Sequence, residues 1–188
     1  MRKSIVITTL LFSFCLLLIT TKAYATDKKG NKFVGVKSCS TCHKTEKQGE
    51  QLKIWETSGH AKAYETLKSE EANKIAAEKG FSTKAVETKE CLVCHATGYD
   101  ADAALLDKKF NIEEGVQCET CHGAGSEYKN MKIMKDHAAS VAAGMTEYKS
   151  DKEIEKQCVT CHNENSPTYK EFKFTEMWEK IKHPVPGK

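Results

Sequence analysis

Four segments of this chain set two cysteines three positions apart with a histidine directly behind. They are Cys39-Ser-Thr-Cys42-His43, Cys91-Leu-Val-Cys94-His95, Cys118-Glu-Thr-Cys121-His122 and Cys158-Val-Thr-Cys161-His162. Two thiols at that spacing can both reach the vinyl groups of one porphyrin and form thioethers. The adjacent imidazole then lies under the iron as its proximal ligand. The pattern is the attachment site of c-type haem. One match would be modest evidence, but four in a chain of 188 residues predict four covalently bound c-type haems. An exported disulfide framework or a pair of zinc ribbons could also use cysteine pairs, yet neither needs histidine after every second cysteine.

The chain has seven histidines. Four sit in the motifs, which leaves His60, His137 and His183 as candidate second axial ligands. A lone histidine is ordinarily a surface or core residue, but beside four irons ligation is the stronger reading. Three spare rings cannot serve four irons, so at least one iron takes another sixth ligand or none. Met131, Met134, Met145 and Met177 could supply a thioether and raise the potential of that haem. Filling gaps against porphyrin faces is the commoner use of methionine.

The elements that must position these groups begin after a leader. Arg2 and Lys3 precede an apolar run over 5–19, and Ala23-Tyr24-Ala25 supplies a small-x-small cleavage pattern. Residues 1–25 therefore read as a cleavable signal peptide, and 26–188 as one domain. The apolar run is short for a membrane span, so no transmembrane anchor is expected in the mature chain. Cys15 of the leader leaves eight of the nine cysteines, all within the motifs. Export predicts a periplasmic location.

Arg2, Lys3 and Lys22 account for the whole formal charge of +3. Each ferric haem adds roughly −1 through its propionates, so the holoprotein is expected to be mildly acidic. The lysines are spread along the chain in the pattern of a solvated surface, and no nucleic-acid partner is expected. Arginine is absent after Arg2, which removes the usual bidentate clamp for small oxyanions.

Helical periodicity runs over 46–67 with a possible break at Gly59, and over 69–79 with Gly80 as a stop. A further pattern covers 130–143 and ends at Gly144, and another runs over 167–182 up to His183-Pro184. That proline disfavours helical geometry at His183 and frees its ring from the helix axis. Strand signals are scarce. The expected fold is all-α, compact and loop-rich, with four stacked haems as its core, and apo-chain folding should depend on haem attachment.

Beyond the motifs, the chain carries Ser58-Gly-His60-Ala-Lys-Ala63, Glu90-Cys-Leu-Val-Cys-His95, Gly115-Val-Gln-Cys-Glu-Thr-Cys-His-Gly123 and Phe172-Lys-Phe-Thr-Glu-Met177. In order and spacing these resemble the tetrahaem cytochrome c-554 family over nearly all of 26–188. The resemblance implies a mostly helical periplasmic protein with stacked haems, three of them bis-histidine. It implies that His60 ligates the fourth haem opposite His162, His137 the first opposite His43, and His183 the third opposite His122. It also implies a five-coordinate iron at His95, in agreement with the histidine count.

A domain of this length has a radius of gyration of roughly 15 Å. Four porphyrins inside it must lie close together, so the expected role is electron transfer between redox partner proteins that dock transiently. The alternative is an NO- or hydroxylamine-type reductase or oxidase at the second haem, which could also bind CO. Tyr99, Asp100 and Asp102 are the available polar groups near it. A third reading, a conducting haem filament, is weakened because a borrowed histidine would still leave one iron unfilled.

Overall fold

The computed structural model describes residues 30–184, so the leader expected over 1–25 and its cleavage site lie outside the described residues. The fold is all-α and rich in loops. Among the described residues ten short helices run in the order α1 Val36–Cys39, α2 Gln51–Glu56, α3 Ala63–Thr66, α4 Glu70–Glu78 and α5 Lys89–His95. Then follow α6 Cys118–His122, α7 Met131–Met134, α8 His137–Ala142, α9 Asp151–Cys158 and α10 Phe174–Ile181. Single 3-10 turns at Glu46–Gln48, His60–Lys62, Ala85–Glu87, Ala103–Leu105 and Ile112–Glu114 join them. The one extended pairing among the described residues is an isolated parallel bridge between Phe33 and Leu106. No described helix is long and apolar enough to cross a membrane.

The helices are shorter than periodicity alone predicts, and the interruptions have local causes. The pattern over 46–67 breaks first at Gly49 and Glu50, both left-handed at φ 94° and 51°, and again before the turn at His60. The pattern over 130–143 divides because Asp136 caps a new helix, accepting from Ala139 N–H at 3.0 Å. Over 167–182 only Phe174–Ile181 is helical. The charged segment after Leu67 forms α4 as its signals require: Ser69 accepts from Ala72 N–H at 3.1 Å, and Gly80 at φ 86° follows its end.

Ordinary apolar packing accounts for little of this fold. The buried apolar side chains are Val34, Val36, Leu67, Ala76, Ala85, Ala96 and Tyr128, three of them alanines. The largest fully buried side chains are Gln117, Val34 and Ser140, where a domain of this size ordinarily buries leucine, isoleucine and phenylalanine. The one apolar cluster among the described residues gathers Leu67, Ala76 and Ala85, with Phe81, Val86 and Leu92 packed against them. It lies beside α5 and the second motif. The other three motifs have no such cluster among the described residues.

Candidate functional site

Each motif is wound on one helical turn. In the second and third it lies inside α5 and α6. In the first and fourth the turn is closed by backbone bonds: His43 N–H donates to Cys39 carbonyl at 3.1 Å, and His162 N–H to Cys158 carbonyl at 3.0 Å. Residues at i, i+3 and i+4 of a helical turn share one face. Both thiols and the imidazole of every motif therefore point the same way, as a flat macrocycle needs. All eight motif cysteines are unpaired thiols. No cluster of three or more His, Cys, Asp or Glu side chains forms a metal cage among the described residues.

Two spare histidines stand opposite motif histidines. His60 and His162 have ring centres 6.1 Å apart, and His122 and His183 have theirs 5.8 Å apart. Two imidazoles on opposite sides of one metal, each bonded at about 2 Å with its ring centre about 1 Å further out, stand about 6 Å apart. Burial lowers the pKa of all four rings, and that of His122 falls to about 4, helped by its neighbours His183 and His43. A neutral imidazole is the form that offers a lone pair to iron. Phe172 stacks on His162 at 4.8 Å and fixes its plane.

The remaining histidines are placed differently. His95 holds its Nδ1 2.7 Å from Ala63 carbonyl, so Nδ1–H donates there and Nε2 stays free for a metal. Among the described residues no second imidazole stands opposite it. His43 lies near His122 and His183, close enough to lower both pKa values. His137 is exposed, with Nε2 3.0 Å from Glu147 Oε1, so the structure pairs it with a carboxylate and does not bring its ring against His43. Met131 and Met177 are exposed. Asp102 caps the turn at Ala103–Leu105, accepting from Ala104 N–H at 2.8 Å, a structural use of that carboxylate.

Contacts between motifs give the sites an order. Glu119 of the third motif accepts from Val34 and Gly35 N–H, at the entry to Cys39, and the Cys39 and Cys118 thiols perturb each other, which joins the first motif to the third. Cys161 Sγ lies 3.9 Å from Val93 carbonyl, which joins the second to the fourth. Burial, with Cys158, Cys118 and Cys161 nearby, pushes Cys121 up to about 11, and Gln157 Nε2 donates to Thr120 carbonyl at 3.3 Å. That joins the third to the fourth. The spatial order of the motifs is thus first, third, fourth, second.

Several residues that hold this arrangement carry no signal in the sequence. Glu119, a variable position of the third motif, is buried and accepts from Val34, Gly35 and Gly125 N–H groups. Tyr128 OH donates to Gly123 carbonyl at 2.5 Å, and Tyr148 OH to Cys121 carbonyl at 2.8 Å, and together they secure the C-terminal end of α6. The turn at His60–Lys62 serves several sites at once. His60 carbonyl accepts from Val116 N–H at 3.0 Å, Trp55 Nε1 donates to Val116 carbonyl at 2.7 Å, and Ala63 carbonyl holds His95. Gly115 (φ 73°) fits under this turn because a Cβ there would come 2.7 Å from His60 carbonyl oxygen. Free thiols and imidazoles on shared faces, opposed imidazole pairs and a scarcity of large buried side chains together fit c-type haem.

Comparison with known proteins points the same way. The family model described as Cytochrome c554 and c-prime matches residues 38–123, which hold the first three motifs and His60. The chain is similar to Cytochrome c-554 of Nitrosomonas europaea, with 30% identity over 140 residues, 69% of this chain. It spans 57% of the length of that relative. No solved structure matches significantly.

Proposed function

Because the chain belongs to the cytochrome c-554 family, we propose that it is a periplasmic c-type cytochrome with four covalent haems that transfers electrons between redox partner proteins. The observation that carries this reading is the run of hydrogen bonds from one motif segment to the next, first to third to fourth to second. The bound haems would supply reversible one-electron exchange.

The residues of the chain do the rest. The eight motif cysteines would hold the haems at fixed spacing, and His43, His95, His122 and His162 would be the proximal ligands. His60 and His183, already opposite His162 and His122, would close the fourth and third sites. Such closed coordination keeps one ligand set in both redox states, so little has to move. His137 would have to leave Glu147 to reach the first iron. The leader over 1–25 would direct export and be removed.

A second reading has its own support. His95 is fixed through Ala63 carbonyl and has no opposing imidazole among the described residues, so the second iron would be open to NO or CO. That site could act as an NO- or hydroxylamine-type reductase or oxidase.

Two measurements on the holoprotein test these readings. Its intact mass should correspond to a chain from Thr26 carrying four haems, and any other count overturns the tetrahaem proposal. Adding CO to the reduced protein should perturb one haem in four. Four unresponsive low-spin haems would remove the open site, whereas turnover of NO or hydroxylamine would promote the enzyme over the carrier.

A further inference from the structure

Glu119 has no part in holding haem, yet it is the most fully satisfied buried charge among the described residues. Its Oε1 accepts from Val34 N–H at 2.8 Å and from Gly125 N–H at 2.7 Å. Its Oε2 accepts from Gly35 N–H at 2.8 Å and from Val34 N–H at 3.0 Å. Every contact comes from a donor, so both oxygens act as acceptors, the pattern of a carboxylate anion. Its residue is 3% exposed, and no ion pair joins it among the described residues. A buried carboxylate without a cation is rare, and its negative field is screened little by water.

The partners of this carboxylate lie on two separate stretches. Val34 and Gly35 lead directly into α1 and Cys39, while Glu119 itself stands between Cys118 and Cys121. Gly35 (φ 78°) is seated so closely that a Cβ would come 2.9 Å from Lys109 carbonyl oxygen. The carboxylate therefore fixes the entry to the first motif against the body of the third. Its charge is felt at the thiols of Cys39 and Cys118, one from each motif, and at Tyr128. None of its hydrogen bonds reaches the second or the fourth motif.

We infer that Glu119 is a positioning residue that pins the first and third attachment segments together and biases that pair of haems, and not the other two, toward the oxidised state. A fixed negative charge beside a haem favours the more positive iron and so lowers its potential. The inference rests on the tetrahaem reading, which the haem count of the parent protein checks separately.

The test is a redox titration that resolves the four midpoints in parent holoprotein, E119Q, E119D and the control E113Q, whose carboxylate is exposed. E119Q should move two midpoints positive, at the haems borne by Cys39/Cys42 and Cys118/Cys121, and leave two in place. E119D keeps the charge and should bring those two back toward the parent values. E113Q should move none. A shift spread over all four haems, no shift at all, or equal shifts in E119Q and E119D would overturn the inference. If E119Q matures incompletely, peptide mass mapping replaces the titration. Haem missing from the first and third motifs alone supports the pin, and loss spread evenly over the four overturns it. If E119Q yields no protein, E119D alone decides. It should restore folded protein with four haems and midpoints near the parent values, and failure of E119D as well, or a change at the second or fourth haem, counts against the inference.

Discussion

The first and third motifs are held together by directed polar bonds, whereas the second is packed against the apolar cluster of Leu67, Ala76 and Ala85 and reaches the fourth through a shared turn. The two halves solve one problem with different forces. A carboxylate that must satisfy three peptide N–H groups allows one register, because any slip leaves a buried donor unpaired. Apolar contact is non-directional and tolerates small displacements. The polar half is thus rigid by construction, and the half with the unopposed histidine, His95, has the more forgiving scaffold. The turn at His60–Lys62 is where the halves meet, since it touches Val116 on one side and carries Ala63 to His95 on the other.

The most damaging change should strike that junction. Gly115→Ala puts a Cβ 2.7 Å from His60 carbonyl oxygen at a left-handed backbone position. A loss of about 3 kcal/mol or more is expected. Denaturant unfolding of the holoprotein would measure it, with spectral changes at the second and fourth haems. Changes confined to the third haem, beside Gly115 itself, would show that the turn does not join the halves.

Leu67→Ala probes the apolar half alone. It removes the largest buried aliphatic side chain of the cluster and should cost about 3 kcal/mol. Thermal unfolding reads the cost, and the midpoints of the first and third haems should stay where they are. If those midpoints move, the halves are not separate.

A smaller effect is expected from Trp55→Phe, which keeps an aromatic ring, though a smaller one, and removes the Nε1–H bond to Val116 carbonyl. About 1 kcal/mol should be lost. Denaturant midpoints at constant slope would register it.

The smallest effect concerns a second carboxylate in the polar half. Glu114 has a buried Oε2 without a partner, and burial raises its pKa. The folded state therefore binds this proton more tightly than the unfolded chain. Stability from this group is fully present below the unfolded value and is lost as pH rises through the raised folded value. Glu114→Gln should flatten that dependence and leave the protein slightly more stable at neutral pH. An unchanged pH profile would show that the group is adequately solvated.

Sequence conveyed these features unequally. The motifs were legible because attachment chemistry fixes both residue type and spacing within five positions. The cap at Ser69 and the stop at Gly80 were legible for the same local reason. That His60 would lie opposite His162 and His183 opposite His122 came only through the family resemblance, since such pairings span much of the chain. Glu119 was illegible because its meaning resides in N–H groups of Val34 and Gly35, which any residue but proline could supply. Periodicity over 46–67 hid the breaks at Gly49 and Glu50, where a non-glycine residue takes up a left-handed conformation.

The two opposed imidazole pairs are assembled from opposite directions along the chain. His60 precedes its counterpart His162, while His183 follows His122. Under the export reading, the chain would enter the periplasm N-terminal end first. When Cys158-Val-Thr-Cys161 appears, the ring destined to face it has already been made, and that site can close at once. The third site has its clamp from Val34, Gly35 and Gly125 early, but must wait for almost the whole chain before His183 arrives. Maturation thus has a built-in last step, and it falls on the motif that the polar half holds most firmly.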